Sequence, residues 1–270
     1  MYKPKLICRC CKEWEKQFSV DQMTDFIREN MERLEKSAAA FDLILRPASI
    51  NDFEAIKEVQ EECFSPPVLQ RVSFYEIFRI LSFGDSAVLT LRRGRIIGFF
   101  LVVSYNNPEK VSFGVRIGVS RPYNGHNLGA VLSRYTCFLS LEKGARIRKA
   151  LMSPKNIPAI TNTLNHVGYV CDTFYPRFPA YPEDARFLIS LPLTPHGLMN
   201  QRVSQEKLRT YIQSRQEGVD YLLIAPNDIA RLEAIYCENK FRVVAVAKID
   251  DTSEDVRLFA VRIESSLQNE

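Results

Sequence analysis

The 270-residue chain lacks the long apolar segments that membrane-spanning and secreted proteins need. No run reaches the ~18 apolar residues of a transmembrane helix, and the opening MYKPKLICRCCKEWEKQF contains no apolar stretch typical of a secretory signal. Low-complexity tracts and a convincing internal repeat are also missing. We therefore expect a cytoplasmic protein that does not act in a membrane.

The cysteines do not form the pattern of a disulfide-rich protein. There are seven, which is an odd number, and their spacing gives no disulfide framework. Cys8, Cys10 and Cys11 lie close together, but zinc normally takes four ligands, often as two separated pairs, and no second pair follows at a suitable spacing. Reduced thiols are the simpler interpretation, and we expect no metal site.

No long basic tract accompanies the net charge of +4, so nucleic-acid binding is not expected. The mild excess of positive charge suits an anionic ligand, although an ordinary surface explains it equally well. A hydrophobic content of 46% with 25% charged residues is typical of globular proteins and provides ample material for a core. The length suggests one large domain with additions, or two domains.

Hydrophobic periodicity divides the chain into three segments. Residues 1–40 contain an amphipathic helix from Ser19 to Ala40, and residues 41–194 alternate between strands and helices. Residues 195–270 follow an α-β-α-β-β order and form either a small second domain or an extension of the first sheet. In the middle segment we predict a helix near 73–81 whose inward residues are Phe74, Ile77, Phe78 and Leu81.

The stretch GVRIGVSRPYNGHNLGAVLS, residues 114–133, joins a strand to a helix through a turn rich in glycine and asparagine. The amides in the first turn of a helix have no intrahelical acceptors, and the helix dipole adds positive potential there. Such a junction is suited to an anion such as a phosphate, unless it is only a tight turn that binds nothing. The spacing of Gly125 and Gly129, with no following lysine, fits neither the Walker pattern nor the dinucleotide pattern.

At this point the chain resembles the GCN5-related N-acetyltransferase (GNAT) superfamily, whose signature is V-x-P-x-[YF]-[RQ]-G-x-G-[IL]-G. The corresponding residues run from Val119 to Gly129 and read VSRPYNGHNLG, with the proline shifted by one position. Asn124 replaces the usual Arg or Gln, which weakens the binding of a pyrophosphate. Asn127 replaces a glycine, but asparagine tolerates left-handed backbone geometry.

Three further segments resemble the same superfamily in the same order. They are LRPASINDFEAI, the hairpin RRGRIIGFFLV, and ALMSPKNIPAITNTLNHVGYV, in which Asn156, Ala159, Gly168 and Tyr169 match fixed points. The resemblance covers about residues 41–194. It implies an α/β fold of the α+β type, with a mixed, mostly antiparallel sheet flanked by helices, and an acyltransferase domain in this middle segment.

The resemblance also implies which residues bind acetyl-CoA or a longer acyl-CoA. The turn would hold the pyrophosphate, Ile117 to Val119 would pair with the pantetheine arm through backbone groups, and Asn156 would touch that arm. A backbone amide of the strand would polarise the thioester carbonyl. The residues implied for the cofactor are Ile117, Gly118, Val119, Asn124, Gly125, His126, Asn127, Leu128, Gly129, Ala130 and Asn156.

The catalytic acid and base are not obvious. The tyrosine that the superfamily often uses as the acid would fall at Thr163 or Leu164, neither of which can replace it, and the strand before the turn has no glutamate. Ser153 is the nearest polar candidate, although it also suits a strand-end cap. His126 and His166 carry imidazole, a common catalytic base, but we expect both at the surface.

The resemblance leaves more than one function open. We expect an N-acyltransferase that moves an acetyl or longer acyl group from acyl-CoA to an amine, which is a small molecule or a peptide. The alternatives are an acyltransferase that takes its donor from an acyl carrier protein and a non-catalytic acyl-CoA-binding or scaffold module. A homodimer is a further open alternative, and neither nucleic acid nor a membrane is an expected partner.

Overall fold

A computed structural model describes residues 19–65, 72–104, 110–179, 182–199, 203–248 and 255–263. The cluster of Cys8, Cys10 and Cys11 lies outside these ranges. Within them, no helix has the length and apolar character needed to cross a membrane.

The chain divides into two compact units, and each is described by itself. The first comprises residues 1–148 and 192–199, and the second comprises residues 149–191 and 200–270. The boundary falls inside a strand, so the first two residues of that strand belong to one unit and the rest to the other. The three segments outlined from the sequence remain a prediction.

Among the residues that the structure describes, the first unit contains four strands and four helices before the shared strand. They are α1 (Val20–Ala39), β1 (Leu43–Pro47), α2 (Phe53–Cys63), α3 (Phe74–Phe83), β2 (Ala87–Leu91), β3 (Ile96–Ser104), β4 (Val111–Val119) and α4 (Leu128–Glu142), with the shared strand β5 (Ile147–Met152) after them. The short helix Pro195–Met199, called α6 below, also belongs to this unit.

Local sequence signals explain where these elements begin and end. Ser19 and Ser73 cap α1 and α3 with reciprocal capping boxes, in which the serine hydroxyl accepts a backbone hydrogen bond. Gly94 turns β2 into β3 and Gly144 follows α4, both with positive φ. The predicted helix limits and the predicted hairpin are confirmed to within a few residues.

The sheet of the first unit follows chain order. β1, β2, β3 and β4 are successive neighbours, and each pair is antiparallel. The connection from β4 to β5 passes through α4, the kind of crossover that joins parallel strands. Helices α2 and α3 cover one side of the sheet, where Ile56, Ile77 and Phe99 form the centre of a fully apolar cluster.

One predicted orientation is wrong. Phe74 and Phe78 do not face inward, because 43% and 48% of their surface is exposed. The stripe of α3 that faces the sheet consists of Ile77, Ile80 and Leu81, and at 100° per residue this stripe leaves the two phenylalanines on its flanks.

A buried polar network crosses the interior of the first unit. The guanidinium of Arg148 on β5 is fully buried and donates to Ser112 on β4 (2.8 Å) and to Ser140 on α4 (2.7 Å). Ser140 donates in turn to the carboxylate of Asp85 (2.6 Å), which also pairs with Lys143 (2.8 Å). A buried arginine is tolerated because its donors are satisfied.

The second unit holds the rest of the chain in two sheets. Its elements after β5 are α5 (Ile157–Thr161), which continues as a π-helical turn (Asn162–Val167), β6 (Val170–Tyr175), β7 (Arg186–Pro192), α7 (Gln205–Ser214), β8 (Tyr221–Ile224), α8 (Ile229–Glu238), β9 (Phe241–Lys248) and β10 (Val256–Arg262). β7 lies between β5 and β6, whereas β8, β10 and β9 form a separate sheet in that order.

Side-chain amides cover the outer edge of the small sheet. The Asn165 carboxamide exchanges two hydrogen bonds with the backbone of Val246, at 2.7 and 2.8 Å. Gln205 accepts from the backbone amide of Lys248 (3.0 Å) and donates to the Val246 carbonyl (2.9 Å).

The predicted fold class, a mixed and mostly antiparallel sheet flanked by helices, is confirmed.

Candidate functional site

The junction between β4 and α4 has a defined backbone path. After Val119 the amide of Ser120 donates to the carbonyl of Ile97 (2.8 Å), which keeps the chain attached to β3. A short 3₁₀ turn, Arg121–Tyr123, follows with Pro122 in its first turn. This 3₁₀ turn was not predicted from the sequence.

Two residues of the turn adopt left-handed backbone geometry. Gly125 has φ of 88°, and a side chain there would meet no other atom within 4 Å. Asn127 has φ of 56° and precedes α4 as its N-cap without a side-chain capping bond. Asn127 thus has the left-handed geometry that asparagine tolerates, and its role in place of the signature glycine stays a prediction.

The first turn of α4 presents amides that no helical carbonyl accepts. The carbonyl of Asn127 takes the amides of Ala130 (2.9 Å) and Val131 (3.2 Å), so the preceding amides of Leu128 and Gly129 have no acceptor within the helix. Residues 124–127 are exposed, and the first turn contains no acidic residue. These features together are suited to an anion.

A β-bulge in β4 changes which side of the sheet its residues face. Arg116 pairs with Leu101 but Gly114 pairs with Val102, so Val115 is an extra residue. Before the bulge Ser112 lies on the α4 side, where it meets Arg148. Beyond it the alternation is shifted by one, and Gly118 faces α2.

The last turn of α2 packs closely on the end of β4. A side-chain carbon at Gly118 would lie 2.9 Å from the ring of Phe99 and 3.4 Å from the sulfur of Cys63, so the position requires glycine. The Cys63 thiol donates to the carbonyl of Val119 at 3.2 Å. Burial, together with the nearby Glu62 carboxylate, raises the pKa of this thiol, which favours its protonated form.

Glu62 ties the turn to α2. Its carboxylate accepts a hydrogen bond from the Ser120 hydroxyl (2.9 Å) and another from the backbone amide of Arg121 (3.0 Å). Neither Glu62 nor Cys63 was predicted from the sequence. No pattern distinguishes Glu62 from its acidic neighbour Glu61, since only the tertiary contact of α2 with β4 gives it a role.

The remaining predicted residues lie in one turn of the second unit. The Ser153 hydroxyl accepts from the amide of Lys155 (3.3 Å), which makes it a strand-end cap in this structure. The side chain of Asn156 accepts from the amide of Ala159 (3.3 Å) and so caps α5. The roles of Ser153 and Asn156 toward a ligand stay predictions.

The two positions that could have carried the acid are buried. Leu164 is fully enclosed, and the Thr163 hydroxyl donates to the carbonyl of Ala159 (2.7 Å). His126 is exposed in the turn, with its ring 5.3 Å from that of Phe41, and His166 is half-buried. The described residues at these positions therefore include no obvious acid.

No protein-family model matches this sequence, and no curated protein is significantly similar to it. Solved structures do match parts of it. The NatC complex bound to Gag peptide and CoA is 14% identical over 57% of this chain and 99% of the other, with a TM-score of 0.45. The ribosomal-protein-S18-alanine N-acetyltransferase from Escherichia coli is 15% identical over 60% and 99%, with a TM-score of 0.43.

A third similar structure is the diaminobutyrate acetyltransferase from Paenibacillus lautus in complex with its substrate and coenzyme A. It is 14% identical over 56% of this chain and 96% of that chain, with a TM-score of 0.45. Another similar structure is a putative acetyltransferase of the GNAT family from Desulfovibrio desulfuricans, which is 16% identical over 56% of this chain and 99% of that chain, with a TM-score of 0.46. At such low identity the similarity concerns the fold alone.

Proposed function

We propose that the protein is an acyl-CoA-dependent N-acyltransferase. The observation that carries this proposal is the junction of β4 and α4, where left-handed Gly125 and Asn127 in an exposed turn precede the amides of Leu128 and Gly129, which have no acceptor within α4. A pyrophosphate is an anion that such amides can bind without a lysine. The residues present therefore fit the phosphate end of CoA.

The strand before the turn would hold the arm of the donor. Ile117, Gly118 and Val119 follow the bulge, where the strand has shifted its alternation. The space over Gly118 is filled by the Phe99 ring and the Cys63 sulfur, so the donor arm would contact this strand through its backbone groups. A backbone amide in this stretch would donate to the thioester carbonyl as negative charge develops there.

The reaction is a direct transfer. The amine nitrogen forms a bond to the carbonyl carbon as the carbon–sulfur bond breaks, the amine loses a proton, and the thiolate takes one up. The protein contributes orientation and the backbone donor. Ser153 is our candidate for the group that protonates the thiolate, and Asn156 is our candidate contact to the donor arm.

A second function is favoured by one specific observation. The positions expected to hold the acid tyrosine, Thr163 and Leu164, are buried and lack a suitable group. This would suit a module that binds acyl-CoA without turnover. A donor on an acyl carrier protein is a further alternative, since Asn124 replaces the usual arginine or glutamine of the pyrophosphate turn.

A screen of amines distinguishes the acyltransferase from the non-catalytic module. The purified protein is incubated with acetyl-CoA and with a set of diamines, amino acids and peptides that carry free amino termini, and released thiol is recorded. Amine-dependent release above the rate without protein supports the enzyme. Binding of acetyl-CoA without release by any amine supports the non-catalytic module.

A further inference from the structure

Gln60 is a fully buried polar residue in the first unit. It lies in the last two turns of α2 with 0% of its surface exposed. Among the residues that the structure describes, neither its carbonyl oxygen nor its amide nitrogen has a hydrogen-bond partner. Its neighbours in α2, Ile56 and Val59, belong to the apolar cluster under the sheet.

An unpaired carboxamide in such a place destabilises the folded state. Removing an amide from water without a hydrogen bond costs free energy, and buried polar groups are almost always paired for this reason. A leucine at position 60 would fill a similar volume without that cost. A glutamine there is therefore explained best by a bound ligand that supplies its hydrogen-bond partners.

The fold places Gln60 beside the strand that ends in the candidate site. Gln60 and Cys63 are three residues apart and so share one face of α2. The Cys63 sulfur is 3.2 Å from the carbonyl of Val119 and packs against Gly118. The face that carries Gln60 is thus the face that meets the end of β4.

We propose that Gln60 is a donor-binding residue whose carboxamide pairs with an amide of the acyl donor's arm. This proposal rests on the proposed function, which assigns residues 117–119 to that arm. A carboxamide has both donors and an acceptor, so its best partner also offers both, as each of the two secondary amides of pantetheine does. The donor's amide would satisfy the carboxamide that the described part of the chain leaves unpaired.

Calorimetric titration of the full chain tests this assignment with two ligands. Acetyl-CoA carries the arm, whereas adenosine 3′,5′-diphosphate is the part of CoA that lacks it. Gln60→Leu is expected to bind acetyl-CoA about tenfold more weakly, the loss of one or two hydrogen bonds, and to bind adenosine 3′,5′-diphosphate as the wild type does. Its melting temperature is expected to equal or exceed that of the wild type.

Gln205→Leu is the matched control. Its carboxamide is paired with Val246 and Lys248, so this variant is expected to melt earlier and to bind acetyl-CoA unchanged. Gln60→Met, which is unbranched like glutamine, repeats the test if leucine distorts the helix.

The outcomes distinguish a failure of the Gln60 assignment from a failure of the proposed acyltransferase function. Equal acetyl-CoA affinity in the wild type and in both Gln60 variants overturns the role of Gln60 and leaves the proposed function standing. A wild type that binds neither ligand overturns both. A Gln60→Leu variant that loses affinity for both ligands equally also overturns the assignment, because a contact to the arm cannot weaken binding of a ligand without it.

Discussion

The carboxylate of Glu62 lies 3.0 Å from the backbone amide of Arg121, so the end of α2 holds the start of the turn that we assign to the donor's phosphates. A second hydrogen bond, from Ser120, fixes the same carboxylate. The turn is therefore positioned by a side chain from a distant part of the sequence as well as by its own glycine and asparagine.

Substitution of Glu62 tests this positioning. Glu62→Ala removes both hydrogen bonds and should weaken acetyl-CoA binding by about threefold to tenfold, since each bond is worth about 1 kcal/mol. Glu62→Gln keeps a carbonyl acceptor and removes a negative charge near the anion, so its affinity should equal or exceed that of the wild type. Glu61→Ala, at the exposed neighbouring position, is the control. Weaker binding in Glu62→Gln than in Glu62→Ala would contradict the account.

The left-handed conformation of Asn127 gives a second prediction. Asn127→Ala should lower the free energy of unfolding by about 1 kcal/mol, because alanine disfavours this conformation, and Asn127→Gly should be tolerated. The side chain makes no capping bond, so the effect comes from the backbone. Asn239 is also left-handed, at φ of 52°. Asn239→Ala should lose similar stability in urea denaturation but bind acetyl-CoA unchanged, and a loss of affinity there would argue against the site.

Asp85 should make stability depend on pH in the acid range. Burial raises the pKa of this carboxyl, but hydrogen bonds from Lys143, Ser104 and Ser140 outweigh it, so the pKa lies below its ordinary value of 3.8. The contribution of Asp85 to the free energy of unfolding is therefore complete above pH 3.8 and is lost as the pH falls through the folded-state pKa. Asp85→Asn should cost about 3 kcal/mol at neutral pH, and less in acid.

Urea unfolding of the wild type and Asp85→Asn at pH 7 and below pH ~4 measures this difference. The exposed pair of Asp25 with Arg28 provides the control, because Asp25→Asn should change stability by no more than about 0.5 kcal/mol at either pH. A difference between wild type and Asp85→Asn that grows as the pH falls would refute the assigned sign.

Asp172 in the second unit should behave in the opposite way. Burial raises its pKa, and Ser190, Arg242 and Lys149 offset the rise only in part. The ionised form is therefore disfavoured in the folded protein, and the wild type should lose stability as the pH rises from 3.8 through the folded-state pKa. Asp172→Asn should be the more stable protein at neutral pH and should match the wild type in acid. Thermal unfolding across this range measures the difference. If the carboxylate were stabilising, Asp172→Asn would be the less stable protein at neutral pH.

Local sequence signals were sufficient for most of the fold. The serines that cap α1 and α3 and the glycines at 94 and 144 mark element ends through their own chemistry, so the secondary structure was predictable. The bulge at Val115 was not predictable, because one extra residue changes no local propensity and appears only when β4 is paired with β3. The same holds for Glu62 and Gln60, whose importance depends on the contact of α2 with β4.

The inward face of α3 was mispredicted for a related reason. Apolar residues occur on more than one side of this helix, and only the packing of Ile77, Ile80 and Leu81 on the sheet decides which side is buried. The left-handed geometry of the turn was predictable because glycine and asparagine are the residues that tolerate it, whereas the binding of an anion there stays a prediction.

Calorimetric titration with acetyl-CoA, longer acyl-CoA and free CoA tests the central claim most directly. Gly129 is the second residue of α4, and Gly129→Trp would cover the first-turn amides. Glu206 holds the same position in α7, so Glu206→Trp is the matched control, and circular dichroism verifies that both variants are folded. We predict a dissociation constant on the order of micromolar for the wild type and for Glu206→Trp, and no measurable binding by folded Gly129→Trp. Equal binding by Gly129→Trp, or no binding of any CoA species by the wild type, would contradict the account.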